Sequence, residues 1–173
     1  MKLIMESWKR FINEREGEIS CKEPDIVYHG SVAKFDGPME PRQAHDVGGR
    51  EDANLKAIYA TENKNMAIGI TLSNKGADAF TDFEGIGGHP PGQLVIVRGK
   101  IRQGEKLYLY KLPKDTFRNT GEPDLAPEWV SEVAVQPCER EELNVDDYLH
   151  LVRMATPEDI KFWNKHNKTG EPL

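Results

Sequence analysis

Cysteine is nearly absent from this chain. Its 173 residues hold two, Cys21 and Cys138, in no Cys-x-x-Cys pair. Neither a disulfide framework nor a thiolate zinc site is expected, and the two read as reduced thiols of a cytosolic protein. Long apolar runs are missing too. No stretch approaches the roughly 18 residues of a membrane span, and acids come too early after Met1 for a signal peptide. The chain is therefore expected to stay in the cytoplasm where it is made, with no membrane partner. There is no excess of positive charge. Lys and Arg number 23 against 29 Asp and Glu, for a net charge of -6 and a pI of about 5.4. This weighs against broad nucleic-acid binding, because phosphate contacts need clustered Lys and Arg. A small local basic patch would still suffice for a nucleotide pyrophosphate. Internal repeats and low-complexity tracts are absent as well.

What remains is an ordinary globular composition, 38% hydrophobic and 30% charged, in a length that fits one domain. Leu3, Ile4, Trp8, Phe11 and Ile12 recur at helical spacing opposite Lys9, Arg10, Glu14 and Arg15, which predicts an amphipathic helix over 1–16 ahead of a single domain, 17–173. Asp25–Ser31 reads as a short buried strand halted by Gly30, and Lys56–Thr61 as a second. Thr61–Ile70 reads as a helix with Thr61 as N-cap. Residues 36–54, 73–93 and 113–127 read as polar loops. Further strands are predicted over Gln93–Ile101, Lys106–Leu112 and Glu128–Val135, from β-branched and aromatic content. A short helix is predicted over Asp146–Met154, and another from Thr156 (N-cap) with Pro157 in its first position. Strands crowd the second half instead of alternating with helices, which predicts an α+β fold over a doubly wound parallel sheet.

Three short segments carry the candidate chemistry. In Val27-Tyr28-His29-Gly30-Ser31, a histidine at a strand end stands beside a glycine that lets backbone approach a ligand. Taken alone, a histidine beside a glycine is more often structural. Ala57-Ile58-Tyr59-Ala60-Thr61 offers a strand tyrosine, which alone reads as half-buried with its hydroxyl satisfied. In Glu128-Trp129-Val130-Ser131-Glu132 the period of two puts Glu128, Val130 and Glu132 on one face, which is ordinary for an exposed edge strand. His45 and His89 fall in loops and His150 and His166 in the C-terminal region, and His29, His45 and His89 have no metal-ligand spacing.

Read together and in order, these segments resemble the ADP-ribosyltransferase superfamily, in its His–Tyr–Glu branch of poly(ADP-ribose) polymerases and diphtheria-toxin-like enzymes. Residues 27–31 are similar to the family's His-Gly-Ser strand. Residues 57–61 are similar to its Gly-Ile-Tyr-Phe-Ala strand, Met66-Ala67 to the Ser-Ala of the following helix, and Glu128–Ser131 to its Glu-Tyr-Ile-Val. The opening residues also resemble those of short phage-encoded proteins, which would place the protein in a host cytoplasm. The resemblance implies a split antiparallel β-sheet core with flanking helices. It implies NAD as substrate and transfer of ADP-ribose to an acceptor that the sequence does not name, expected to be a protein.

The resemblance also implies roles. His29 would bond a ribose hydroxyl, Gly30 the nicotinamide amide through its backbone, and Ser31 would add a hydroxyl contact. Tyr59 would stack on nicotinamide. Glu128 would support the oxocarbenium-like sugar and orient the acceptor. Glu132 is the second candidate, because 132–137 is similar to the Glu-rich strand of the arginine-specific branch. That branch's Arg and Ser–Thr–Ser strand do not occur here. Arg42 and Arg50 are offered for the pyrophosphate by charge and position alone. Gly69 and Ile70 stand where the family often has a second tyrosine. Two other expectations stay open: an RNA 2′-phosphotransferase, against which the acidic charge weighs, and a catalytically silent nucleotide-binding or phage structural module on the same fold.

Overall fold

The computed structural model describes residues 21–44, 55–73, 77–82, 85–90, 93–120 and 128–166. The helix predicted over 1–16, with His45 and Arg50, lies outside them. Among the described residues the chain forms ten strands: β1 (Ile26–Ser31), β2 (Arg42–Gln43), β3 (Lys56–Thr61), β4 (Ala77–Asp82), β5 (Gln93–Gly99), β6 (Lys106–Pro113), β7 (Arg118–Asn119), β8 (Glu128–Ser131), β9 (Glu139–Asn144) and β10 (Val152–Met154). Two α-helices accompany them, α1 (Lys64–Ser73) and α2 (Pro157–His166). The protein is α+β, as the crowding of strands predicts.

The strands make two sheets. The larger runs β7-β8-β3-β1-β6-β9, with β2 beside β3, and the smaller runs β10-β5-β4. Every pairing in the larger sheet is antiparallel. In the smaller, β4 is antiparallel to β5 and β10 is parallel to it, so the expectation of a wholly antiparallel core is corrected by one strand. A parallel neighbour needs a long crossover, and here the chain leaves β5 and returns at β10 only after building β6 through β9.

Both faces of the larger sheet are covered. Ile26, Tyr28, Leu107, Leu109 and Leu143 point to a core shared with Ala67, Ile68 and Leu72 of α1 and with Leu94 of the smaller sheet. Val27, Ile58, Ala60, Tyr110 and Leu112 point the other way, into a second core closed by Met39, Phe117 and Val135. Helix α1 lies between the sheets and buries Ala67, Ile68, Gly69, Thr71 and Leu72. A helix with apolar neighbours on several sides shows a weak stripe, which explains its plain sequence pattern. Its N-cap is Asn63, whose Oδ1 accepts from the Met66 N–H at 3.2 Å, and not Thr61, whose Oγ1 accepts from the Asn63 N–H one step earlier.

Helix α2 starts as predicted. Thr156 and Asp159 exchange hydrogen bonds, Asp159 N–H to Thr156 Oγ1 at 3.3 Å and Thr156 N–H to Asp159 Oδ2 at 2.7 Å, a reciprocal cap. Asp159 also anchors Arg153 of β10. The guanidinium donates to both Asp159 oxygens and, at 2.8 Å, to Asp82 of β4. Asp82 in turn accepts from the Gly85 and Ile86 N–H groups. Both carboxylates are buried, and this charged knot pins α2 across the smaller sheet. Phe80 adds stacked rings at 5.5 Å from Phe162 and 5.8 Å from Trp163.

Several boundaries differ from the sequence reading. The strand predicted over Glu128–Val135 stops at Ser131, and Val135 instead forms an isolated bridge to Met39. The loop read over 73–93 contains β4. The helix read over Asp146–Met154 is a 3-10 turn over Val145–Leu151 followed by β10. The two cysteines are corrected as well. Cys21 and Cys138 are joined in a disulfide with their Cα atoms 5.8 Å apart, because strand pairing returns residue 138 to the foot of β1. Among the described residues no helix is long and apolar enough to cross a membrane.

Candidate functional site

The three segments singled out in the sequence fall on consecutive strands, β1, β3 and β8. On its β6 side, β1 is paired along its whole length, from Ile26 with Pro113 to Ser31 with Tyr108. On its β3 side it pairs once, Tyr28 with Thr61. Beyond that pair the ladder opens. In place of a strand bond, the His29 ring donates from Nδ1 to the Tyr59 carbonyl oxygen at 2.6 Å. A carbonyl only accepts, so this bond puts the imidazole proton on Nδ1 and leaves Nε2 as an acceptor. Burial pushes the His29 pKa below the ordinary 6.5, and the charge of Arg42 pushes it the same way, against the stabilising carbonyl bond. The ring is neutral at neutral pH.

The face on which each side chain starts follows from the strand alternation. His29 stands opposite Tyr110, whose ring lies 5.8 Å from Phe35. Arg42 is exposed and stacks its guanidinium 4.9 Å over the same Phe35 ring. His29, Phe35 and Tyr110 therefore belong to the face of the second core, whereas Arg42 stands opposite Ala57 in the β2–β3 register and starts on the Tyr59 face, with its guanidinium over Phe35. On β8, Trp129 packs against that core too, so Glu128 and Val130 start on the opposite face. Register sets Glu128 against Thr61 and Val130 against Tyr59. Tyr28, Thr61 and Glu128 thus form one row across three strands on the α1 side. The structure joins His29 to Tyr59 directly and brings Tyr59 and Glu128 to neighbouring strands. His29 and Glu128 start from opposite faces, with the opened ladder between them.

Each remaining candidate has a definite place. Gly30 is required by packing: a Cβ there would lie 1.8 Å from Thr71 Oγ1 and 2.5 Å from the Ala67 carbonyl oxygen. Helix α1 therefore presses directly on the β1 backbone at the opening. Ser31 Oγ accepts from the Ala33 N–H at 3.0 Å and closes a local turn. The Tyr59 hydroxyl accepts from the Leu55 N–H at 2.8 Å and donates back to the Leu55 carbonyl, while the residue itself is half-buried. Glu128 is half-buried, and its carbonyl oxygen accepts from the Thr120 N–H at 2.9 Å. Glu132 lies beyond the end of β8, exposed, in an ion pair with Arg118 at 2.7 Å. Exposed pairs of this kind contribute little. Of the two glutamates, Glu128 alone belongs to the row beside Tyr59.

Two groups were not legible in the sequence. Phe35 and Tyr110, under Arg42 and beside His29, come from a loop and a core strand with no shared motif. Lys114 lies 3.8 Å over the Trp129 ring and pairs with Glu62, fixing the second-core side of β8. Only the strand order, which no local pattern encodes, brings these residues together. Comparison with family models, curated proteins and solved structures finds no match to this chain.

Proposed function

We propose that the opening between β1 and β3 binds NAD, and that the protein is a mono-ADP-ribosyltransferase with an ADP-ribosyltransferase-like split-sheet fold. The observation that carries this reading is the interrupted ladder. His29, Gly30 and Tyr59 surround the one place where β1 leaves β3, and Glu128 stands one register step away. The three segments linked by resemblance alone are far apart in the chain, yet they occupy adjacent strands. The helix wedged between two sheets also supports the reading.

In this reading His29 accepts a ribose hydroxyl proton at Nε2, and its neutral, fixed tautomer suits it to a hydroxyl better than to a phosphate. Arg42, exposed on Phe35, supplies the positive charge for the pyrophosphate. The half-buried Tyr59 ring stacks on nicotinamide from one side. Ile70, 46% exposed where a second tyrosine would stand, leaves the other side open. Glu128 bonds the ribose hydroxyl and stabilises positive charge on the sugar as the bond from C1′ to the nicotinamide nitrogen breaks. The acceptor's lone pair then takes C1′, nicotinamide leaves, and the acceptor's proton goes to solvent.

A second reading, a catalytically silent module, is favoured by a specific observation. His29 Nδ1 and the Tyr59 hydroxyl are both engaged with backbone, and packing alone accounts for Gly30. Labelled NAD and a cell lysate, incubated with the protein and with Glu128→Gln and Glu132→Gln, separate the two. The enzyme reading expects labelled protein and free nicotinamide, reduced about 10²–10³-fold in Glu128→Gln and unchanged in Glu132→Gln. Label on RNA would redirect the acceptor. No label and no nicotinamide, with far-ultraviolet circular dichroism intact, would leave the silent module.

A further inference from the structure

We infer that the Cys21–Cys138 bridge is a redox-controlled tether that holds the chain entering β1 against the larger sheet and releases it on reduction without unfolding the domain. The two ends of the bridge are unequally held. Cys138 is half-buried and its N–H donates to the Lys111 carbonyl of β6 at 2.9 Å, so it is part of the sheet. Cys21 is exposed, as are Lys22, Glu23, Pro24 and Asp25 after it. The contacts of this run are few. Asp25 N–H bonds back to the Lys22 carbonyl at 2.9 Å, within the run itself, and the Lys114 N–H donates to the Asp25 carbonyl at 3.0 Å. The Tyr28 hydroxyl donates to Glu23 at 2.8 Å. Ahead of Asp25, only that tyrosine bond and the disulfide join the run to the sheet among the described residues.

The rest of the domain does not depend on the bridge in the same way. β1 keeps its full pairing with β6 and both cores close without either cysteine. Removing the bridge thus frees a segment and leaves the framework. Exposure also makes the bond reachable. A thiolate of an external dithiol attacks Cys21 Sγ, the S–S bond breaks, and Cys138 leaves as a thiolate that takes a proton. The second thiol of the reagent then displaces Cys21, which is protonated in turn, and the reagent closes to its own disulfide. Two electrons and two protons pass to the protein. An oxidising compartment keeps the tether closed and a reducing one opens it, so the segment reports where the protein is.

The test uses the full chain in dithiothreitol at graded ratios of reduced to oxidised reagent. Thiols are counted by maleimide mass shift, and amide exchange is read at Asp25, over β1 and over β5. The expected result is no labelled cysteine in the oxidised protein and two in the reduced one. Exchange at the Asp25 N–H, bonded to the Lys22 carbonyl, should be at least about tenfold faster after reduction, with β1 and β5 unchanged. Cys138→Ser should show the fast Asp25 exchange without reductant. Two maleimides on folded protein that has never met reductant would overturn the bridge. Loss of protection in β1 or β5 on reduction would make it a staple of the whole fold and overturn the tether. So would unchanged exchange at Asp25.

Discussion

Two regions of this molecule take polar groups out of water and use them in opposite ways. At the knot, Arg153 faces two buried carboxylates; Asp82 also accepts two backbone N–H groups, and Asp159 the N–H and hydroxyl of Thr156. Nearly every donor and acceptor is matched, and only Arg153 Nε, buried, finds no partner among the described residues. At the opening, the His29 ring uses one nitrogen on Tyr59 and keeps the other as an acceptor, with the Arg42 charge close enough to be felt. The first arrangement spends its valences inward and fixes α2 to the smaller sheet. The second leaves a valence where a strand bond would have been. A polar cluster is thus read by what it leaves over as much as by its burial.

The sharpest way to break this contrast is at the knot. Arg153→Met leaves two buried carboxylates without their cation, and urea titration is expected to show a loss of about 3–5 kcal/mol; a loss below about 1 kcal/mol would mean the knot does not hold the domain. Next comes Gly30→Ala, expected to cost about 1–3 kcal/mol through overlap with α1. Thr71→Ala in the same chain should recover part of this but not all, since the Ala67 carbonyl remains. Full recovery would show that the helix backbone does not press on β1.

The two regions should also fail in different pH ranges. His29 has a folded pKa below 6.5, so between that value and 6.5 the unfolded chain binds a proton that the folded one does not. Stability is level above pH 6.5 and falls as the pH drops below it. His29→Gln should remove that slope. Asp159 is held well below the usual 3.8, first by its bonds to Arg153. Its contribution is whole above pH 3.8 and is lost as the pH falls further, a slope that Asp159→Asn should abolish. The smallest effect is expected for Glu132→Gln, within about 0.5 kcal/mol by thermal unfolding. A larger loss would show that the exposed pair with Arg118 matters to β8.

The sequence makes β3 legible to the residue, and β1, β5 and β6 nearly so, because each has a run of β-branched, leucine or aromatic residues that the two-sided cores demand. β9 was missed for a physical reason. Glu139, Glu141 and Glu142 pair with Lys111, Lys64 and Lys106, and Arg140 with Asp36, along an exposed edge, and an edge strand carries no apolar signature. β10 has only three residues, too brief to read, and β4, Ala-Asp-Ala-Phe-Thr-Asp, has one large apolar residue and so lacks the run that marks the other strands. At the site, the identities of His29, Tyr59 and Glu128 could be picked from local motifs. Their opposite starting faces could not, because alternation fixes a face only once the core is known. Arg50 lies beyond what the structure describes. The disulfide was hidden by its separation of 117 residues, which only the strand order closes.

The pairing of β1 with β6 also governs how the protein is made. Ile26 finds Pro113, 87 positions later by subtraction. A ribosome adding roughly 5–20 residues each second therefore leaves the first strand without its principal neighbour for on the order of ten seconds. Throughout that interval Ile26, Val27 and Tyr28, which end up buried on both faces, lack the β6 part of their cover in the nascent chain. The step that makes the finished sheet continuous is thus the one that most exposes its synthesis to chaperones and to mispairing with other copies.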